Sequence, residues 1–127
     1  MKITTFNPQI MTNNAKPIIE LFQALGFQQN HNPKDIGELK VEDIRMKDAN
    51  GFALDISSPS IPLPKDKIAI RMNVDDFDEA YKLLTDRGFK NYYGDKTIET
   101  GYSKSAFLIS ESGWGINLVQ HIKKDEE

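Results

Sequence analysis

LFQALGFQQN (Leu21–Asn30) and LLTDRGFKNY (Leu83–Tyr92) decide how this chain folds. Laid over each other, they match at Leu21 and Leu83 and at the dipeptides Gly26-Phe27 and Gly88-Phe89, 62 positions apart. The same offset carries NGFALDI (Asn50–Ile56) onto SGWGINL (Ser112–Leu118), with Gly51 on Gly113 and Phe52 on Trp114. It also carries NPQIMTNN (Asn7–Asn14) onto AIRMNVDD (Ala69–Asp76). Each match alone is weak. One offset serving three separated segments identifies an internal repeat of two copies, too long and too few for a solenoid.

Both copies carry the same order of elements. Thr4–Thr12 alternates as a strand, with Phe6, Pro8 and Ile10 on one face. Asn13 or Asn14 is the N-cap of a helix whose first turn tolerates Pro17. Ile18, Leu21, Phe22 and Leu25 recur at helical spacing, and Gly26 ends the helix. Strands follow near Phe27–Asn32, Lys40–Lys47 and Phe52–Ser57, with a turn at Asp48-Ala49-Asn50-Gly51. The second copy begins with strand Lys67–Asn73. Its helix opens at DDFDEA, where Asp76 and Glu79 can form a capping box. Phe77, Ala80, Leu83 and Leu84 supply its buried stripe. Gly88 stops it, and strands follow near Asn91–Thr97, Ser103–Ser110 and Gly115–His121. Between the copies SPSIPLPKD (Ser58–Asp66) reads as a stiff, proline-rich linker. One domain of 127 residues results, with modules at about 1–57 and 67–121.

Composition excludes several functions. The 16 basic residues are scattered and the net charge is −3, so no nucleic-acid surface is drawn. No apolar run is long enough to span a bilayer, and the N-terminus lacks the apolar region of a signal peptide, which makes the cytoplasm the expected location. Without cysteine there is no disulfide, thiolate ligand or thiol nucleophile. His31 sits in a polar, loop-like stretch and His121 near the C-terminal end, and both read as solvated. No Ser–His–Asp arrangement or phosphate-binding glycine loop is present.

Two βαβββ units of this length resemble the vicinal oxygen chelate superfamily, which includes glyoxalases, extradiol dioxygenases, fosfomycin-resistance enzymes and bleomycin-resistance proteins. The resemblance covers nearly the whole chain. It rests on ELFQALGF, on NVDDFDEAYKLLTDRGF and on the paired Gly-aromatic turns before the final strands. It implies an α+β fold in which a curved mixed sheet surrounds a cavity, with helices on its outer face. Metalloenzymes of the superfamily take ligands from the first and last strands of each unit, usually His or Gln and a carboxylate. Carried over by position, those places fall on Asn7, Asp55, Ala69 and Asn117. They share one strand parity, opposite Phe6, Ile10, Leu54, Ile56, Ile68, Ile70, Ile116 and Leu118. One carboxylate, two amides and a methyl are a poor donor set for a divalent ion.

Arg71 lies at the same parity. It either pairs with Asp55 or holds a ligand carboxylate or phosphate. Phe107 is an apolar wall beside it, and Tyr102 sits in a loop expected over the cavity mouth. Phe52 and Trp114, after matching glycines, read as local packing. The candidate ligand-binding residues are Asn7, Gln9, Asp55, Arg71, Asn73, Tyr102, Phe107 and Asn117, with no metal and no cofactor. The resemblance implies a small-molecule binding protein of the bleomycin-resistance type, which Asn7-Pro8 on the first strand also resembles. Such a protein sequesters a ligand or antibiotic, commonly as a homodimer. The alternative is a divalent-metal-dependent lyase, isomerase or dioxygenase.

Overall fold

The computed structural model describes residues 1–31, 42–58 and 63–122. Among them are nine strands and two helices, an α+β chain. In order they are β1 (Ile3–Met11), α1 (Ala15–Ala24), β2 (Gln28–His31), β3 (Glu42–Lys47), β4 (Ala53–Ser58), β5 (Lys67–Val74), α2 (Phe77–Asp86), β6 (Lys90–Asn91), β7 (Ile98–Glu99), β8 (Ser103–Ile109) and β9 (Gly115–His121). The chain divides into two compact units. One is Asn7–Ile68; the other takes Met1–Phe6 together with Ala69 onward.

The repeat is written in the backbone. α1 and α2 occupy matching residues at the 62-position offset. Both are preceded by an extended N-cap, Asn14 at φ −139° and Asp76 at φ −144°. Both end on a left-handed glycine, Gly26 at φ 104° and Gly88 at φ 99°, a conformation that strains other residues. In each, the N–H of the following phenylalanine donates back into the helix: Phe27 to the carbonyl of Phe22 at 2.9 Å, Phe89 to that of Leu84 at 3.1 Å. The hairpin turns repeat as well. Gly51 N–H donates to the Asp48 carbonyl and Gly113 N–H to the Ser110 carbonyl, both at 3.1 Å.

In the Asn7–Ile68 unit the strand order is β2-β3-β4-β1. β1 and β4 run parallel, with Gln9 abreast of Asp55 and Ile10 abreast of Ile56. β3 is antiparallel to β4 and places Arg45 opposite Asp55. One face is apolar. Ile44, Met46, Leu54 and Ile56 are buried there, and Ile10, Ile18, Ile19, Phe22 and Phe27 pack against them. Each such side chain contributes about 1.5–3 kcal/mol when fully buried.

In the other unit the order is β5-β9-β8-β6, and β7 also pairs with β8. β5 and β9 run parallel, and Ile70 lies abreast of Ile116. α2 buries Phe77, Ala80 and Leu84 against Met72, Val74, Ala106, Leu108, Ile116 and Leu118. The N-terminal residues are tied to the start of α2. Lys2 N–H donates to Asp75 Oδ1 at 2.7 Å, and Asp75 N–H donates to the Lys2 carbonyl at 3.1 Å.

Several expectations are corrected. Of the strand expected over Asn91–Thr97 only Asn91 is in a strand, at the end of β6, and a turn leads on toward β7. Asn91 makes it: its Oδ1 accepts from Tyr93 N–H at 2.9 Å, and its carbonyl accepts from Gly94 N–H at 3.1 Å. Leu21 and Leu25 are exposed, because the stripe that meets the sheet runs through Ala15, Ile18, Ile19 and Phe22. Leu21 lies to the side of it, and Leu25 is already the C-cap. Leu83 is exposed for the same reason, with Tyr81 taking its place on the core. Phe6 and Ile68 are 60% and 71% exposed, not packed under a helix. Ile68 is only the second residue of β5. Asn13 is no cap. Its side chain clamps the linker, accepting from Leu63 N–H and donating to the Leu63 carbonyl, both at 2.8 Å.

Candidate functional site

The face opposite α1 carries a polar row, Gln9–Asp55–Arg45, across three strands. Asp55 is 0% exposed. Arg45 donates to it through Nε at 3.1 Å to Oδ1 and through Nη2 at 3.2 Å to Oδ2. Asn7 Nδ2 adds a third donor at 3.2 Å from Oδ1. Three of the expected residues, Asn7, Gln9 and Asp55, therefore come together in one unit. Arg45 is the member the sequence reading missed. Its signal was present: the turn at Asp48–Gly51 pairs Lys47 with Ala53, and that register sets Arg45 opposite Asp55.

The second unit carries a matching row. Arg71 is abreast of Asn117, and Phe107 lies on Asn117's other side. Arg71 is buried, and its Nε donates to Asn73 Oδ1 at 2.9 Å. Asn117 is half-buried between them, which explains an amide within a strand of aliphatics: its neighbours Ile116 and Leu118 face α2. Phe107 lies across Gly115. A Cβ on Gly115 would meet Phe107 Cε1 at 2.6 Å and Cζ at 2.9 Å. Tyr92 closes on the same ring, centroid to centroid 5.5 Å. Gly115 shares Asn117's strand parity, but its closeness to the Phe107 ring, like that of Tyr92, does not follow from parity.

Tyr102 does not join this row. It is 66% exposed in the bend before β8 and lies five residues from Phe107, about 17 Å along an extended chain. Phe52 is 68% exposed and not locally packed, whereas Trp114 meets Phe89 edge-on at 5.2 Å. Each unit also has an outer cleft on its helix side. One of about 570 Å³ is bordered by Asn13, Lys16, Glu20, Gln23 and Gln29. The other, of about 430 Å³, is bordered by Phe77, Tyr81, Asp95, Thr97 and Lys104. Neither is lined by an expected site residue.

No family model and no curated protein matches the sequence. Solved structures do. Methylmalonyl-CoA epimerase from Mycobacterium tuberculosis superposes with a TM-score of 0.66 at 17% identity, over 95% of this chain and 90% of that one. The Streptomyces coelicolor methylmalonyl-CoA epimerase in complex with 2-nitronate-propionyl-CoA gives 0.64 at 18% identity, over 96% of this chain and 100% of that one. A glyoxalase/bleomycin resistance protein/dioxygenase superfamily member from Vibrio splendidus 12B01 gives 0.60 at 12% identity, over 94% and 99%. The chain has the vicinal oxygen chelate fold. At these identities the likeness speaks for the fold alone.

Strand register can be set beside the four places expected from the resemblance, Asn7, Asp55, Ala69 and Asn117. The first-strand residues abreast of Asp55 and Asn117 are Gln9 and Arg71, two positions beyond Asn7 and Ala69 and at the same parity. Either set fits a divalent ion poorly. Asp55 already receives a guanidinium on both oxygens, and Arg71 is a permanent cation.

Proposed function

We propose that the protein binds a small molecule with an anionic or polar head and an aromatic or amphiphilic body, without a catalytic metal. Sequestration of a ligand or antibiotic is the role this serves. The observation that carries the reading is the row of buried Arg71, half-buried Asn117 and buried Phe107: a fixed cation, an amide and an aromatic wall on adjacent strands. A guanidinium recognises carboxylate or phosphate in a planar fork, and a few placed polar groups on apolar walls are typical of ligand sites. A protein of the same fold is known in complex with 2-nitronate-propionyl-CoA, which supports a small-molecule role. Cytoplasmic location and a homodimer belong to the proposal. Among the described residues no helix is long and apolar enough to cross a membrane, and sedimentation would report the dimer.

The alternative, a metal-dependent lyase, isomerase or dioxygenase, rests on likeness of fold. Melting in Zn²⁺, Ni²⁺ or Mn²⁺ separates the two. A metal held at 100 times its dissociation constant adds about 2.7 kcal/mol. We expect no such stabilisation. A shift of that size that vanishes in Asp55→Ala would replace the binding reading with the enzymatic one.

A further inference from the structure

We propose that the cleft between α2 and the turn after β6 binds a small organic cation. The site lies wholly within the unit that takes Ala69 onward, on the helix side of its strands, and is separate from the Arg71 row on their other face.

The cleft exists because a strand is interrupted. After Tyr92, whose N–H donates to the Phe107 carbonyl at 2.8 Å, the chain leaves the edge of β8 and rejoins it at Ile98, opposite Ser105. The cleft of about 430 Å³ lies between this detour and α2, within the size range of small-molecule sites. Its wall is anchored. Asn91 Nδ2 donates to the Tyr81 hydroxyl oxygen at 3.3 Å and to the Lys96 carbonyl at 2.9 Å, which pins the turn to the helix and to itself. A wall fixed in advance spares a ligand the cost of ordering it.

The lining selects charge. Phe77 and Tyr81, one helical turn apart, stack with ring centroids 5.6 Å apart. Lys104 shares the helix-facing parity of Ala106 and Leu108. Its Nζ lies 4.9 Å from the Phe77 ring centroid and 3.1 Å from Asp78 Oδ1. The cleft therefore already holds one ammonium between an aromatic face and a carboxylate, and aromatic faces recognise organic ammonium ions. Lys82 is paired with Asp86 at 2.8 Å. Asp95, on the turn side, is exposed, and among the described residues it makes no ion pair. With Lys104 offset by Asp78 and Lys82 by Asp86, the charge left over at the rim is that of Asp95. Its complement is a cation whose apolar body rests on the half-buried Tyr81 ring.

The test is an NMR titration of the full chain at low ionic strength with benzylammonium and benzyl alcohol, probes of similar shape that differ in charge. Benzylammonium should shift the amide resonances of α2 and of residues 92–97. It should bind roughly 2- to 5-fold tighter than benzyl alcohol, the value of one solvent-exposed ion pair. Asp95→Asn should bring the ratio to about one. Glu111→Gln removes the same charge from a turn that does not border the cleft, and should leave the ratio unchanged. Lys104→Ala withdraws the resident ammonium from the Phe77 ring and from Asp78, and should raise benzylammonium affinity by roughly another 2- to 5-fold. No shift at α2 and the turn, a ratio that survives Asp95→Asn, or a ratio lost equally in Glu111→Gln would overturn the proposal. So would weaker benzylammonium binding in Lys104→Ala, or 1-naphthoate shifting the same resonances in place of benzylammonium, which would make the cleft an anion site.

Discussion

Asp55 is a buried carboxylate whose stability depends on the residues facing it. Arg45 grips both its oxygens and Asn7 adds a donor. Removing the cation leaves a buried anion with fewer partners. Arg45→Met should therefore destabilise the protein by about 1–3 kcal/mol in urea melts. Adding Asp55→Leu should return part of that loss, because the pair leaves together. Strict additivity of the two substitutions would mean that the pair is not coupled. Gly115 makes a separate prediction. It is glycine because the Phe107 ring occupies the space a Cβ would need. Gly115→Ala should cost about 1–3 kcal/mol through overpacking and displace the ring. Adding Phe107→Leu should relieve most of it.

At the scale of elements the two helices look alike and are capped differently. Asp76 Oδ1 accepts from Glu79 N–H at 3.1 Å, while Glu79's carboxylate lies 3.5 Å from the N-terminal ammonium, so only half of the expected capping box forms. Asn14 makes no side-chain cap bond. Asp76→Ala should then cost about 1 kcal/mol, and Asn14→Ala distinctly less, as read from paired thermal melts. The turn after β6 gives a pH dependence. Burial, with Tyr92 beside it, pushes the Tyr93 hydroxyl above its ordinary value of 10.0. The fold favours the neutral phenol, so its contribution is complete below pH 10.0 and is lost as pH rises through the raised value. Tyr93→Phe should flatten that alkaline decline in stability; an unchanged slope would assign it elsewhere.

These elements also mark where sequence was legible. The helices, the hairpin turns and β9 follow from glycine positions and alternation, because backbone conformation at Gly26, Gly88, Gly51 and Gly113 is a local property. Parity correctly placed Gln9, Asp55, Arg71 and Asn117 opposite the helix-facing aliphatics. The rest was not local. Which leucines of a helix are covered depends on its rotation over the sheet, so Leu21 and Leu83 were misplaced. Arg45 depends on cross-strand register, and Gly115 on where the Phe107 ring lies.

For the molecule as a whole, the fold is shared with epimerases and with a glyoxalase/bleomycin resistance protein/dioxygenase superfamily member, and a fold hosts many chemistries. This chain carries two polar rows, in which Gln9 and Arg71 stand abreast of Asp55 on β4 and Asn117 on β9. The central claim is that a small anion is bound through Arg71 without metal. The most direct measurement is calorimetric titration of 1-naphthoate in the presence of a chelator, in wild type and in Arg71→Met. A charge-assisted hydrogen bond is worth about 1.5–3 kcal/mol. Binding should therefore persist in chelator and weaken roughly 10- to 150-fold in the variant. Unchanged affinity in a folded Arg71→Met protein, or binding that appears only when a divalent metal is restored, would contradict the account.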